Sequence, residues 1–207
     1  MVIANEPNIE LNAFLLRKLL KVRKAKKSDV HQIYNIASSV GSATKIPEQG
    51  FLIDDYTSNP KLYKNKLLSG INDLKHFYVA EYERIYGFMI AYSKEEWLRD
   101  NPNWIEDVYW SPDFDKSRID NFVVVDKTAV QAGLTGQGIG SIIYKHLLKN
   151  LVDDGIETIF AETIISPIPN FASLQFRKKQ KYTLAGMRYE NYNNTLYTDL
   201  VYYKDVL

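Results

Sequence analysis

The chain has no cysteine in its 207 residues. A thiol nucleophile, a disulfide framework and a thiolate metal site are therefore excluded. Charge of one sign is also lacking. The 26 Lys and Arg against 25 Asp and Glu give a formal net charge of +1, which implies no nucleic-acid partner. No apolar run approaches the roughly 20 residues needed to span a bilayer, so no membrane partner is expected and a cytoplasmic location is. Histidine is scarce. His31, His76 and His146 have no partner motif around them, and with no His/Asp/Glu spacing of a ligand set, no metal is expected. What is present, 45% hydrophobic and 25% charged residues, is ordinary globular composition and enough for one domain with a substantial core.

The most informative stretch is Val123 to Leu151, VVVDKTAVQAGLTGQGIGSIIYKHLLKNL. A β-branched run, Phe122 to Val130, passes through a glycine-rich turn into an amphipathic helix. Ile139, Ile142, Ile143, Leu147 and Leu151 recur at helical spacing, and Gly155 supplies a stop. Such a turn leaves backbone N–H groups unpaired at the positive end of the helix dipole, suited to phosphate oxygens. Glycine lets a bulky diphosphate approach the backbone where a Cβ would obstruct it. A nucleotide-hydrolase loop would need a Lys-Ser/Thr pair, but Ile139 and Gly140 follow Gly138. A dinucleotide fingerprint would need GxGxxG after a first strand. This chain has GxGxG at Gly136, Gly138 and Gly140, past its midpoint. A third reading, in which the glycines serve tight packing only, stays open on spacing alone.

The segment GLTGQGIGSIIYKHLL resembles the acetyl-coenzyme A loop of the GNAT acetyltransferase superfamily, Q/R-x-x-G-x-G/A. Gly138 and Gly140 match its two small residues, and Thr135 stands where the family usually has Gln or Arg. A second segment, Asn170-Phe-Ala-Ser-Leu-Gln-Phe176, is similar to the family's N-x-x-A/S-L-x-F/Y. The resemblance spans about Lys21 to Leu207. It implies an α/β (α+β) fold, with a mixed, mostly antiparallel central sheet flanked by helices and a cleft where the fourth and fifth strands splay apart. It further implies acetyl-coenzyme A as co-substrate and an amine acceptor, held without a metal. Its cofactor-binding residues would be Ala129, Val130, Thr135, Gly136, Gln137, Gly138, Ile139, Gly140, Ser141, Asn170, Ser173 and Phe176. The family's usual tyrosine acid aligns with Arg177, which leaves Tyr182 and Tyr144 as candidates.

Patterning along the chain gives a compatible order. Helices are expected over Asn8 to Leu20, Asp29 to Ala37, Lys61 to Leu68 and Leu174 to Lys181. Strands are expected over Lys21 to Lys27, His76 to Tyr82, Ile85 to Ser93, Phe122 to Val130, Thr158 to Ile165, Tyr189-Glu190 and Thr195 to Tyr203. Residues 1–20 would form a helical extension and 21–207 a single domain. The basic side chains from Arg17 to Lys27 suit a capping helix or a contact with a second subunit, a possible homodimer, better than a targeting peptide, because Glu6 and Glu10 accompany them.

Between the third and fourth expected strands, residues 93–120 hold Trp97, Trp104 and Trp110 with eight carboxylates against four basic side chains. Aromatics beside carboxylates suit a cationic amine, through charge pairing and cation–π attraction of about 0.5–2 kcal/mol per contact. The alternative is that the tryptophans cover a sheet edge or a subunit contact.

An amine near pKa ~10.4 arrives protonated, so attack on a thioester needs a base. Asp126 is the first candidate, placed by strand period on one face with Val124, Thr128 and Val130. Its alternative is pairing with Lys127 or Arg118. Glu162 on the next strand is the second candidate. The resemblance implies a backbone N–H near Ala129 and Val130 for the carbonyl oxygen. The expected activity is N-acetyl transfer by direct attack; the alternative is a non-catalytic acyl-coenzyme A sensor.

Overall fold

Alternating β-branched and aromatic residues supply eight strands to one sheet, seen in a computed structural model that describes residues 13–206. The strands are β1 (Lys21–Lys24), β2 (His76–Tyr82), β3 (Arg84–Ser93), β4 (Val108–Trp110), β5 (Phe122–Val130), β6 (Thr158–Ser166), β7 (Thr183–Tyr192) and β8 (Thr195–Asp205). The helices are α1 (Ala13–Leu19), α2 (Val30–Val40), α3 (Pro60–Asp73), α4 (Lys94–Asp100), α5 (Trp104–Asp107), α6 (Ile139–Asp153) and α7 (Phe171–Lys179). The sheet runs β1-β2-β3-β5-β6-β8-β7-β4. Every neighbouring pair is antiparallel except β5–β6. The expected mixed, mostly antiparallel sheet flanked by helices is what the chain forms. Of the helix expected over Asn8 to Leu20, residues 8–12 lie outside the described residues, as do Glu6 and Glu10.

Three apolar clusters hold the layers. On one face α1 and α6, with Leu20 just after α1, pack through Leu16, Ile143 and Leu147 onto Tyr78, Val123, Val125 and Ile159. On the other, α2 and α3 cover β2 and β3 through Ile33, Leu67, Phe77 and Phe88. The third cluster gathers Trp97, Trp104, Phe114, Phe122, Phe160 and Val201 on the β5–β6–β8 part of that face.

Local chemistry explains where elements differ from expectation. Asn59 caps α3 by accepting from Leu62 N–H, with Pro60 in the first turn, which sets its start; its end runs on past Leu68 to Asp73, burying Ile71. The 93–120 segment is ordered from its start, because Ser93 and Glu96 form a reciprocal capping box on α4. Its short strand β4 joins the sheet beside Gly186, where an added Cβ would collide with the Tyr109 carbonyl. β7 is far longer than Tyr189-Glu190, since its pairing with β8 carries residues that show no clear alternation.

Candidate functional site

β5 and β6 pair at only three rungs, Phe122–Thr158, Val123–Ile159 and Val124–Phe160. Beyond them β5 stays with β3 while β6 stays with β8, and the two strands separate. The N–H groups of β5 that would have faced β6 are left toward the gap. Val125 to Val130 and Ala161 to Ser166 thus form the walls of a cleft, lined by Ala129, Val130, Glu162 and Thr163 among others and enclosing about 650 Å³. The expected splay lies between β5 and β6, because β4 belongs to the inserted segment.

The glycine turn closes one end of this cleft. Gly133, Gly136 and Gly138 have φ of 83°, 80° and 90°, left-handed values that disfavour a side chain. Gly138 sits at the N-cap of α6 with no side-chain cap. Thus the N–H groups of Ile139, Gly140 and Ser141 have no intrahelical carbonyl to reach. Thr135, Gly136, Gly138, Gly140 and Ser141 line the cavity, and Ile139 contributes only its backbone, since its side chain is buried in the core. Gln137 does not belong there. Its N–H donates to the Leu134 carbonyl at 3.3 Å and its side chain to Gly133 at 3.4 Å, which keeps it inside the turn. Arg17 of α1 lies over the turn, its Cδ 3.2 Å and Nη1 3.4 Å from where a Gly138 Cβ would stand. No carboxylate among the described residues pairs with Arg17.

α7 forms the facing wall. Ser173 and Phe176 line the cavity. Asn170 also borders it, but its side chain is occupied: Oδ1 accepts from Ser173 N–H at 3.1 Å and Nδ2 donates to the Phe51 carbonyl at 2.9 Å. Its side chain thus serves as cap and loop tie, and Asn170, expected to bind the cofactor, borders the cavity with both side-chain polar atoms engaged. Tyr144 and Tyr182 lie against each other with tilted rings, 5.9 Å between ring centres, and do not line the cavity. Burial pushes both phenols up.

The two candidate bases differ in surroundings. Asp126 is the extra residue of a β-bulge: Ile90 pairs Lys127 and Ala91 pairs Val125, so Asp126 has no rung. The bulge overturns the expected common face. Val124 packs with the tryptophans, whereas Val130 packs toward α6 and Thr128 lies against Gly140. A one-residue slip switches faces because the strand period is two. The Asp126 carboxylate accepts from Lys127 Nζ at 2.5 Å, while Arg118 pairs with Asp205 instead. Burial opposes the Lys127 charge, but Asp126, Tyr56 and Tyr92 outweigh it and raise the ammonium pKa.

Glu162 Oε1 accepts from Trp104 Nε1 at 2.8 Å. Its Oε2 accepts from Arg188 Nη2 at 3.3 Å, and the same Nη2 donates to Glu190 at 2.6 Å. Burial pushes Glu162 up to about 7, opposed by Arg188 and reinforced by Asp199. Asp199, on β8 opposite Arg188, is pushed up to about 6 by burial and Glu190. One guanidinium thus faces three carboxylates, an excess of negative charge on the cavity floor. Sequence reasoning missed Arg188, Glu190 and Asp199 entirely.

The tryptophans are not an open cation receptor. Trp97 and Trp104 are buried, Trp110 stacks on Phe114 at 4.6 Å, and none lines the cavity. They reach the site only through the Trp104 bond to Glu162. Trp104→Phe removes a donor that favours the ionised carboxylate, so the Glu162 pKa rises further. The expected result is a Glu162 titration moved to higher pH, seen by difference infrared spectroscopy of the carboxylate in wild type and variant; an unmoved titration would exclude this coupling.

Among the described residues no group of three or more His, Cys, Asp or Glu side chains is placed to hold a metal ion, and no helix is long and apolar enough to cross a membrane. No protein-family model and no curated protein matches the sequence. Solved structures do. Ard1 from Thermoplasma volcanium is similar at TM-score 0.62 and 16% identity, over 91% of this chain and 99% of that one. The polyamine N-acetyltransferase of Drosophila melanogaster, which forms N-acetylagmatine, is similar at 0.60 and 13%, over 90% and 99%. The ribosomal-protein-S18-alanine N-acetyltransferase of Escherichia coli is similar at 0.56 and 14%, over 90% and 94%. At such identities the likeness is one of fold, and the fold of this chain is that of the GNAT acetyltransferases.

Proposed function

We propose that the cleft transfers an acetyl group from acetyl-coenzyme A to the primary amine of a cationic acceptor by direct attack. The observation that carries this is the meeting, in one cavity, of uncapped amides at the α6 N-terminus with a carboxylate raised to about 7. The fit to a diphosphate is physical: left-handed glycines, free N–H groups and the Arg17 cation converge on the same turn. Bound there, acetyl-coenzyme A supplies an activated thioester. The pantetheine arm would run along the unpaired edge of β5, whose N–H groups near Ala129 and Val130 are suited to the thioester carbonyl oxygen. Holding amine and thioester together supplies much of the acceleration.

Glu162 is the base this reading favours over Asp126. A base poised near neutrality accepts a proton efficiently and can release it again, whereas the Asp126 carboxylate is already engaged by Lys127. Glu190 and Asp199 would draw an ammonium to the floor. The preference for a basic acceptor therefore rests on the β6–β7–β8 carboxylates, not on the tryptophans. Thiol release from acetyl-coenzyme A, with product masses, tests this against polyamines, lysyl peptides and acidic amino acids. Turnover of the basic amines is expected. Binding without thiol release across the panel would favour the sensor reading.

Arg17 offers a separate check, because it stands in for the missing Gln or Arg at Thr135. Arg17→Ala is expected to raise KM for acetyl-coenzyme A about 3–10-fold, as loss of one exposed charge-assisted contact does. It should leave kcat unchanged. An unchanged KM at low salt would remove Arg17 from the site.

A further inference from the structure

Arg177 follows Phe176 on α7 and is 4% exposed. Its surroundings are neutral. Nε donates to Thr163 Oγ1 at 3.4 Å, and the guanidinium lies 5.2 Å and 5.7 Å from the ring centres of Tyr182 and Phe176. Nη1 has no hydrogen-bond partner, and no carboxylate among the described residues forms an ion pair with this side chain. Glu162 and Glu190 pair with Arg188, and Asp199 lies in its field, on the opposite face of the sheet, because Thr163 and Glu162 are consecutive strand residues and point to opposite sides. A buried guanidinium without a counter-charge is strongly disfavoured. Its presence calls for an anion, and Arg177 lines the cavity.

The position of Arg177 says which anion. Thr163 lies three residues past Phe160, the last paired rung of β6, so the guanidinium stands near the apex of the splay. The diphosphate end lies beyond Val130, at the α6 turn. Three residues of β5, from Val130 back to Lys127, which the Val124–Phe160 rung sets level with Thr163, separate the two levels by about 10 Å at ~3.3 Å per residue. An anion needed at the apex is one that the reaction itself generates there.

We propose that Arg177 is a catalytic residue that binds the sulfur of coenzyme A as it departs as a thiolate. This rests on the acetyl-transfer reading above. The amine nitrogen bonds to the acetyl carbon, the carbon–sulfur bond breaks, and its electron pair stays on sulfur. The acceptor ammonium gives one proton to the Glu162 carboxylate before attack, and the nitrogen gives up a second as the amide forms; each passes from Glu162 to solvent. The sulfur leaves as an ion pair with Arg177 and is protonated by water after release. Arginine keeps its proton at ordinary pH, so charge pairing takes the place of a proton donor at this position.

The test needs no turnover. Coenzyme A bound to the protein is titrated, and its thiolate is followed by ultraviolet absorption. In the wild type the bound thiol should ionise at least about one pH unit below the ~8.5 of a free thiol. Arg177→Met should return it to the free value, and Arg177→Lys should keep part of the shift. Where Arg177→Met fails to fold, as judged by circular dichroism, the wild type and Arg177→Lys still decide the matter. A wild-type thiol titrating at the free value, or an Arg177→Met protein matching the wild type, would overturn the assignment while leaving coenzyme A binding intact. Failure of the wild type to bind coenzyme A would overturn the functional reading and this assignment together.

Discussion

On the acetyl-transfer proposal, Glu162→Gln should lower kcat by about 10²–10⁴-fold, the range expected for loss of a general base, while coenzyme A binding persists. The side chain keeps its shape and can still face Trp104 and Arg188, so the loss reports proton transfer. The sign of the pH dependence follows from the raised pKa. Only the ionised carboxylate accepts a proton, so kcat/KM of the wild type should rise with pH through about 7 and then level. The variant should lack that limb. Stability runs the other way. Because the folded pKa lies above the ordinary carboxylate value of about 4.5, this group's contribution is fully present below that value and is lost as pH rises through about 7. Glutamine stays neutral, so the melting temperature of the variant should fall less than that of the wild type over this window. A kcat within threefold of wild type would remove Glu162 as base and return attention to Asp126.

On the same proposal, Gly138→Val should weaken coenzyme A binding by at least about 100-fold. Two effects add. A β-branched residue at φ 90° strains the turn by roughly 1–3 kcal/mol, and the new side chain occupies the approach to the first-turn amides, beside Arg17. The fold should survive, because Gly138 is at a helix end and outside the apolar clusters. Calorimetric titration of coenzyme A into wild type and variant reads the effect. An undiminished affinity would place the diphosphate elsewhere.

The turn and its helix were legible because their signals are local. Glycine at left-handed positions and a 3.6-residue apolar repeat show in a single line of sequence, and both expected strand neighbours of the cleft formed. What the sequence hid is non-local. The bulge at Asp126 depends on how β5 registers against β3, so simple alternation put Val124 and Thr128 on a shared face that does not exist. The role of Arg188, Glu190 and Asp199 arises only when β7 and β8 lie beside β6, and β7 is a strand whose pattern alternates weakly. The tryptophans were visible as a cluster, but composition does not tell an open receptor from a buried wall. Here mutual edge-to-face packing, such as Trp97 on Trp104 at 6.2 Å, made them core. One of them still acts on the site, through a single hydrogen bond to Glu162.

The most direct measurement is a crystal structure of the protein with coenzyme A. Diphosphate oxygens should lie within hydrogen-bonding distance of the Ile139, Gly140 and Ser141 amides, with the pantetheine arm between β5 and β6 and the sulfur beside Arg177. A cleft left vacant at saturating coenzyme A, or filled by Arg17 with the nucleotide bound on another surface, would contradict the assignment.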